Sequence, residues 1–298
     1  MRYVSLAAAL ALGALGAAVT ADASSPRPTG QIAFARVTGE VNNREVSDLY
    51  VMDADGTHQR RLTRYRGDDA EPAWSPDGRR IAFTRDIDPD GYGDNQVFVM
   101  NADGSGVRRL TDKRYAEAHD AAWSPDGRRI AYTWWSDEVE IAVVNVNGGG
   151  FKLTDTPHPH NENAGSSEPA WSPDGRRVAF VRTDGNVYVM NADGSRVRRL
   201  TSSKGWQEIA GAPAWSPDGR RIAFNKLGNV WHMNADGTGQ RRLTPVTSWE
   251  PAWSPDGRLI AVATELGADA TSAIYVMTSS GTARRRVARN GTAPAWTR

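Results

Sequence analysis

The stretch that decides the fold runs from Pro72 to Thr111: PAWSPDGRRIAFTR (Pro72–Arg85), a polar insert, then QVFVMNADGSGVRRLT (Gln96–Thr111). PAW is short and apolar. RRIAFTR and QVFVM carry the β-branched and aromatic residues that suit a half-buried pleated surface, and RRLT reads as a polar outer strand. SPDG and NADG are turn sequences: Pro or Asp sets the first bend and Gly tolerates the positive φ that closes it. Four short strands, turned back on one another, therefore occupy about forty residues.

The same string returns along the chain. WSPDG stands at Trp74, Trp123, Trp171, Trp215 and Trp253, and a truncated sixth copy, AWTR, places Trp296 at the C-terminus. A unit of roughly 40–45 residues holding four antiparallel strands is a propeller blade, so six units predict an all-β, six-bladed β-propeller. Helical solenoids of similar period are disfavoured because Pro and Gly interrupt each segment before three helical turns. The ends are complementary. GQIAFAR (Gly30–Arg36), DLYVMDADG (Asp48–Gly56) and RRLT (Arg60–Thr63) lack a preceding PAW strand, and APAW (Ala293–Trp296) lacks anything after it. The C-terminal strand is thus predicted to complete the first blade and remove the open edges of the ring.

The repeat PAWSPDGRRIAF…YVMNADGS…RRLT resembles that of the TolB-like, WD40-like (PD40) bacterial propellers over residues 30–298. The resemblance implies the propeller fold and a role in binding. The α/β domain that precedes the propeller in TolB is not expected here, so the Tol-Pal partners of that family are not expected to carry over.

Residues 1–23 read as a secretory signal: Met1-Arg2 supplies a positive start, Val4–Val19 is a run of Ala, Leu, Gly, Val and one Ser, and Ala21 and Ala23 offer small residues for cleavage. The apolar run is shorter than the roughly 20 residues a membrane span needs. The expectation is an extracytoplasmic protein, periplasmic or secreted, with residues 24–298 as one monomeric domain. The absence of cysteine excludes disulfides, thiolate metal sites and a cysteine nucleophile. A net charge of +1 gives no electrostatic pull toward nucleic acid.

Residues that recur in each blade are scaffold first. The six repeat tryptophans are expected between blades, Met52, Met100, Met190, Met233 and Met277 in the core, and the arginine pairs that follow each turn on a solvated rim facing turn aspartates such as Asp77. With SPDG and NADG both on one face, called the lower, the connections that differ between blades share the upper face, where binding residues usually sit. The position three before each repeat Trp holds Glu71, Asp120, Glu168, Ala212, Glu250 and Ala293. Four acids, with His119 alongside, would ring the upper mouth of the channel and suit a cation or a cationic peptide. Tyr65, Tyr115, Trp206 and Trp249 are candidate aromatic contacts for a protein, peptide or carbohydrate ligand.

Asp86, Asp88, Asp90 and Asp94 resemble the start of an EF-hand-type calcium loop, with Val97 where the last ligand, Glu, would stand. His158 and His160, with Glu162, offer a second metal-type cluster. No cofactor is otherwise required. Nucleophile elbow, zinc helix and phosphate loop motifs are absent from the sequence. The expectation is a non-catalytic binding module, with a lyase or hydrolase-like enzyme using the mouth carboxylates and His119 as the alternative.

Overall fold

The computed structural model describes residues 30–90, 94–111, 116–154, 165–203, 210–266 and 271–297. Among these, twenty-four strands, β1 to β24 in chain order, form six four-stranded antiparallel sheets. The second sheet shows the plan: β4 (Asp69–Trp74) innermost, then β5 (Arg80–Asp86), β6 (Asn95–Asn101) and the two-residue β7 (Arg108–Arg109) outermost. In the first, β24 (Gly291–Trp296) pairs with β1 (Gln31–Val41), followed by β2 (Arg44–Asp53) and β3 (Arg60–Arg61). Ile32 stands opposite Trp296 and Ala33 opposite Ala295, so the ring closes by non-covalent pairing of its two ends.

Each SPDG turn is held by its own side chains. Ser75 Oγ donates to Asp77 Oδ1 (2.6 Å), the same oxygen accepts from Arg79 N (3.1 Å), and Arg80 N donates back to Ser75 Oγ (2.9 Å). Ser124 with Asp126, Ser172 with Asp174 and Ser216 with Asp218 repeat the device. These bonds favour the ionised aspartates and hold Asp77 and Asp218 below the usual carboxylate range. The second lower turn needs glycine for a different reason: a Cβ on Gly104 would lie 2.6 Å from the Leu62 carbonyl oxygen of the preceding blade. Glycine there lets neighbouring blades approach backbone to backbone.

The blades are joined through the tryptophans. Trp123 Nε1 donates to the Ala73 carbonyl (3.1 Å), Trp215 to Ala170 (3.2 Å) and Trp253 to Ala214 (3.1 Å), each reaching the inner strand of the blade before. Four of the six repeat indoles carry an arginine of the preceding blade over the ring: Arg80 lies 4.8 Å from the Trp123 ring centre, Arg129 4.8 Å from Trp171, Arg177 4.7 Å from Trp215 and Arg221 5.1 Å from Trp253. The second arginine of the post-SPDG pair is therefore a stacking residue between blades, and the turn aspartate expected to face it caps its own turn. Met52, Met100, Met190, Met233 and Met277 are fully buried, as predicted.

The segment from Thr38 to Ser47 is a hairpin extension of β1 and β2. Asn42 and Asn43 turn it with φ of 52° and 62°, a left-handed pair that Asn tolerates.

Deleting Ala293–Arg298 should expose the edge of β1 and remove Trp296 from the junction of the last and first blades. The loss should be several kcal/mol, a large fraction of the roughly 5–15 kcal/mol that holds a domain together. A truncated chain that melted at the full-length temperature and stayed monomeric would refute closure by this strand.

Candidate functional site

The innermost strands line a central channel of about 820 Å³, walled by the recurring Pro-Ala-Trp segments. At its upper end each strand carries the residue three before the Trp, and all six are left-handed: Glu71 (φ 52°), Asp120 (56°), Glu168 (53°), Ala212 (46°), Glu250 (54°) and Ala293 (48°). In every blade the ladder to the second strand slips at this point, between Ala70 and Ala73 in the second blade and between Trp249 and Ala252 in the sixth. The bulge turns the residue out of the pleat toward the channel. Glu71, Asp120, Glu168 and Glu250, which the sequence placed in one ring, all line this cavity.

The carboxylates also bind the ring together. Glu71 Oε2 accepts from Asp120 N (2.8 Å) of the next blade, Glu168 Oε2 accepts from Ala212 N, and Glu250 Oε2 accepts from Ala293 N (2.6 Å). Aspartate is one methylene shorter, and Thr133 completes the reach. Its hydroxyl donates to Asp120 Oδ2 (2.8 Å) and accepts from Glu168 N (2.9 Å). Thr84 likewise donates to Glu71 Oε2 (2.7 Å). The acids are thus acceptors for backbone groups that a bulge leaves unpaired, as well as a source of negative potential.

Crowding of acids in a sheltered channel raises their proton affinity. Burial, followed by the charge of Asp120, lifts Glu71 above the ordinary range and Glu168 to about 7; burial is the largest cause lifting Glu250 to about 7. His119 Nδ1 donates to Asp120 Oδ2 (2.9 Å). Burial disfavours its cation, but Asp120, Glu71 and Glu117 outweigh that and lift it to about 8. Glu71, His119 and Asp120 each offer a ligand atom within 4.8 Å of the others, a set that could hold a metal ion.

Of the aromatic candidates, Trp249 lines the channel. Tyr65 lies away from it, with the Arg85 guanidinium 4.1 Å from its ring centre at the seam of the first two blades. Tyr115 and Trp206 lie outside the described residues, as do residues 1–29, His158, His160 and Glu162. The sequence reading missed Trp135, which is 53% exposed and 6.3 Å from His119 between ring centres. Its signal was there: Trp134-Trp135 stand where the second blade has Arg85-Asp86.

In the proposed calcium loop, Asp86 Oδ1 accepts from Asp88 N (2.9 Å) and Asp94 N (3.1 Å), and Asp94 Oδ1 accepts from Gln96 Nε2 (2.7 Å). Asp90 Oδ1 meets Arg66 (2.5 Å) and Asn42 (3.3 Å) of the first blade. Residues 91–93 lie outside the described ones.

Two measurements test this account of the ring. Replacing Glu71 by Ala leaves the Asp120 N–H without its acceptor and should cost about 1–3 kcal/mol, whereas Gln keeps an acceptor and should cost much less. Raised carboxyl pKa values mean that the folded chain holds protons the unfolded chain has lost. The stability they contribute is present at low pH and falls as pH rises from 4.5 to about 7. His119 acts in the same direction, its contribution being lost as pH rises from 6.5 through about 8. The melting temperature should therefore fall across this window, and the Glu168→Gln/Glu250→Gln variant should flatten the slope.

The family profile described as the TolB beta propeller domain matches residues 17–163 and 120–249. The TolB homolog of Chlorobium luteolum is 36% identical over 160 residues, 54% of this chain and 36% of that protein. The Tol-Pal system protein TolB of Thioalkalivibrio sulfidiphilus is 33% identical over 80 residues, 27% of this chain and 17% of that one. The matches thus span little more than a third of these relatives at most. Among solved structures, TolB from Acinetobacter baumannii superposes with a TM-score of 0.73 at 20% identity, over 90% of this chain and 66% of that one. With its repeat, its six blades and its family match in agreement, the chain belongs to the TolB beta-propeller family.

Proposed function

We propose that this protein is an extracytoplasmic, non-catalytic binding module whose channel mouth receives a cationic segment of a protein or peptide partner. The observation that carries this reading is the convergence of Glu71, Asp120, Glu168 and Glu250 on one channel, with Trp249 in its wall. A lysine or arginine side chain entering the mouth meets acids already turned toward it, so little reorganisation opposes binding. The indole of Trp249 offers a cation-binding face in the same wall, and that of Trp135 stands near His119. A neutral carbohydrate would use the aromatics and leave the charge unanswered, which favours a peptide. The leader read in residues 1–23 and kinship with TolB proteins support a position outside the cytoplasm.

A cation bound here also competes with protons. At neutral pH Glu168 and Glu250 are each near half protonation, and a positive charge among them drives the protons off. Titration with a short arginine-rich peptide should show saturable binding that weakens with added salt. It should release protons, seen as a binding enthalpy that depends on the ionisation enthalpy of the buffer, and lose at least tenfold affinity in Glu168→Gln/Glu250→Gln. An affinity indifferent to both salt and the Gln substitutions would remove the mouth as the site. Peptide cleavage during the titration would favour the enzyme alternative.

We retain calcium binding at Asp86, Asp88, Asp90 and Asp94 as a second element of the proposal. Calcium would have to draw Asp90 away from Arg66 and Asn42. Millimolar calcium should raise the melting temperature saturably in the native chain and not in Asp88→Ala/Asp90→Ala; no rise in the native chain retires the loop.

A further inference from the structure

The blades are not equivalent at their outer edge, and the exception faces the closure seam. In five blades the outer strand has two or three residues and is followed by Leu-Thr, whose hydroxyl accepts from the third strand, as Thr63 Oγ1 does from Leu49 N (2.9 Å) and Thr111 Oγ1 from Val97 N (3.0 Å). The sixth blade reads ARRRVARNG instead. Its outer strand β23 (Arg285–Arg289) has five residues and slips register between the pairs formed by Ile274 and Tyr275. Between this strand and the first blade lies a cleft of about 490 Å³, lined by Arg36, Gln59, Arg286, Arg289 and Asn290.

Two of these arginines stand without the carboxylate that neutralises a counterpart elsewhere in the ring, as Arg182 does opposite Ser166 in the fourth blade. Arg85, which occupies in the second blade the place of Arg36 in the first, is held by Asp69 at 2.6 and 2.8 Å. Asp69 pairs with Arg85 across the strands as Gly291 pairs with Arg36, so glycine stands where that carboxylate would be. Arg61, the first-blade counterpart of Arg286, is paired with the buried Asp48. Both arginines stand opposite the strand tyrosine, Tyr50 or Tyr275, and the residue in the place of Asp48 is Ala273. Ala288 likewise replaces Thr63.

The guanidinium of Arg36 is fixed all the same. It lies 4.6 Å from the Tyr50 ring centre and 5.0 Å from that of Phe34, and Nη2 donates to Gln59 Oε1 (2.6 Å). Gln59 is itself tied to the Val287 carbonyl of the sixth blade (3.2 Å). Arg36 Nε is buried and has no hydrogen-bond partner. Among the described residues, no carboxylate forms an ion pair with Arg36, Arg286 or Arg289.

We infer that the cleft between the sixth and first blades, built by Arg36, Arg286 and Arg289, is a binding site for a phosphate group carried on a larger molecule. Planar guanidinium forks match phosphate oxygens in pairs, and a held arginine loses less freedom on binding than a solvated lysine. The cleft lies in the range of volumes that take small organic ligands, so a phosphate ester fits its size better than a bare ion. This site lies on the outer edge of the ring, away from the acidic mouth, and does not depend on what the mouth binds.

The test uses glycerol 3-phosphate, titrated into the mature chain at fixed ionic strength and followed calorimetrically. Saturable binding should weaken at least tenfold in Arg286→Gln/Arg289→Gln, two exposed positions whose loss leaves the fold intact, and in Arg36→Gln. Arg108→Gln, an exposed arginine of another blade, should change nothing. Cosedimentation with vesicles separates the sources of the phosphate. Retention on phosphatidylglycerol but not phosphatidylcholine vesicles, abolished in the double variant, assigns a lipid headgroup, and soluble binding without retention assigns a free phosphate ester. No saturable binding at about 10 mM, equal affinity in all variants, or an equal loss in Arg108→Gln overturns the site.

Discussion

A blade of this size has two apolar faces and no means of burying either by itself, so its stability depends on contact with the blades on both sides. Trp123, Trp215 and Trp253 make the dependence specific, because each indole fills the gap and ties its N–H to a carbonyl of the preceding inner strand. An arginine stacked on the far side shields the same ring, adding about 0.5–1 kcal/mol where the pair is exposed. Such contacts are satisfied for all six blades only when the circle is complete, which is why the chain ends meet in one sheet.

The same need for satisfied backbone groups shapes the channel. A bulge in each inner strand points one side chain inward and leaves an amide to be bonded, and carboxylates from the neighbouring blade supply the acceptors. Concentrating acids for that purpose has an electrostatic cost, visible in the upward displacement of Glu71, Glu168 and Glu250. That displacement is what makes the mouth responsive: a positive group placed there relieves repulsion the fold otherwise tolerates.

The fold was legible because it is written six times over. Turn chemistry, strand alternation and complementary ends recur often enough that chance is excluded, and even the ring of acids followed from counting three back from each Trp. What could not be read were contacts between blades. The bond from Asp120 N to Glu71 joins residues 49 apart, and nothing local in either sequence announces it. The stacking of Arg80 on Trp123 is hidden for the same reason, and a reading confined to one blade assigned that arginine to solvent. Trp135 was legible and overlooked, as an aromatic in a place the repeat gives to a polar residue. The hairpin from Thr38 to Ser47 is hard to read because its polar residues mask two extended strands turned by Asn42-Asn43.

The relay of inner-strand acceptors runs in one direction, each acid reaching forward to the next blade. It stops at Ala212 and Ala293, which have no side-chain oxygen to offer. Along this relay the circle is therefore two arcs: a long one from the second blade to the fifth, and a short one joining the sixth to the first. At the two joints between them the blades are held by contacts outside the relay, Trp253 Nε1 on the Ala214 carbonyl at one and Arg66 and Asn42 on Asp90 at the other, so continuity of the ring passes there from the channel wall to other side chains.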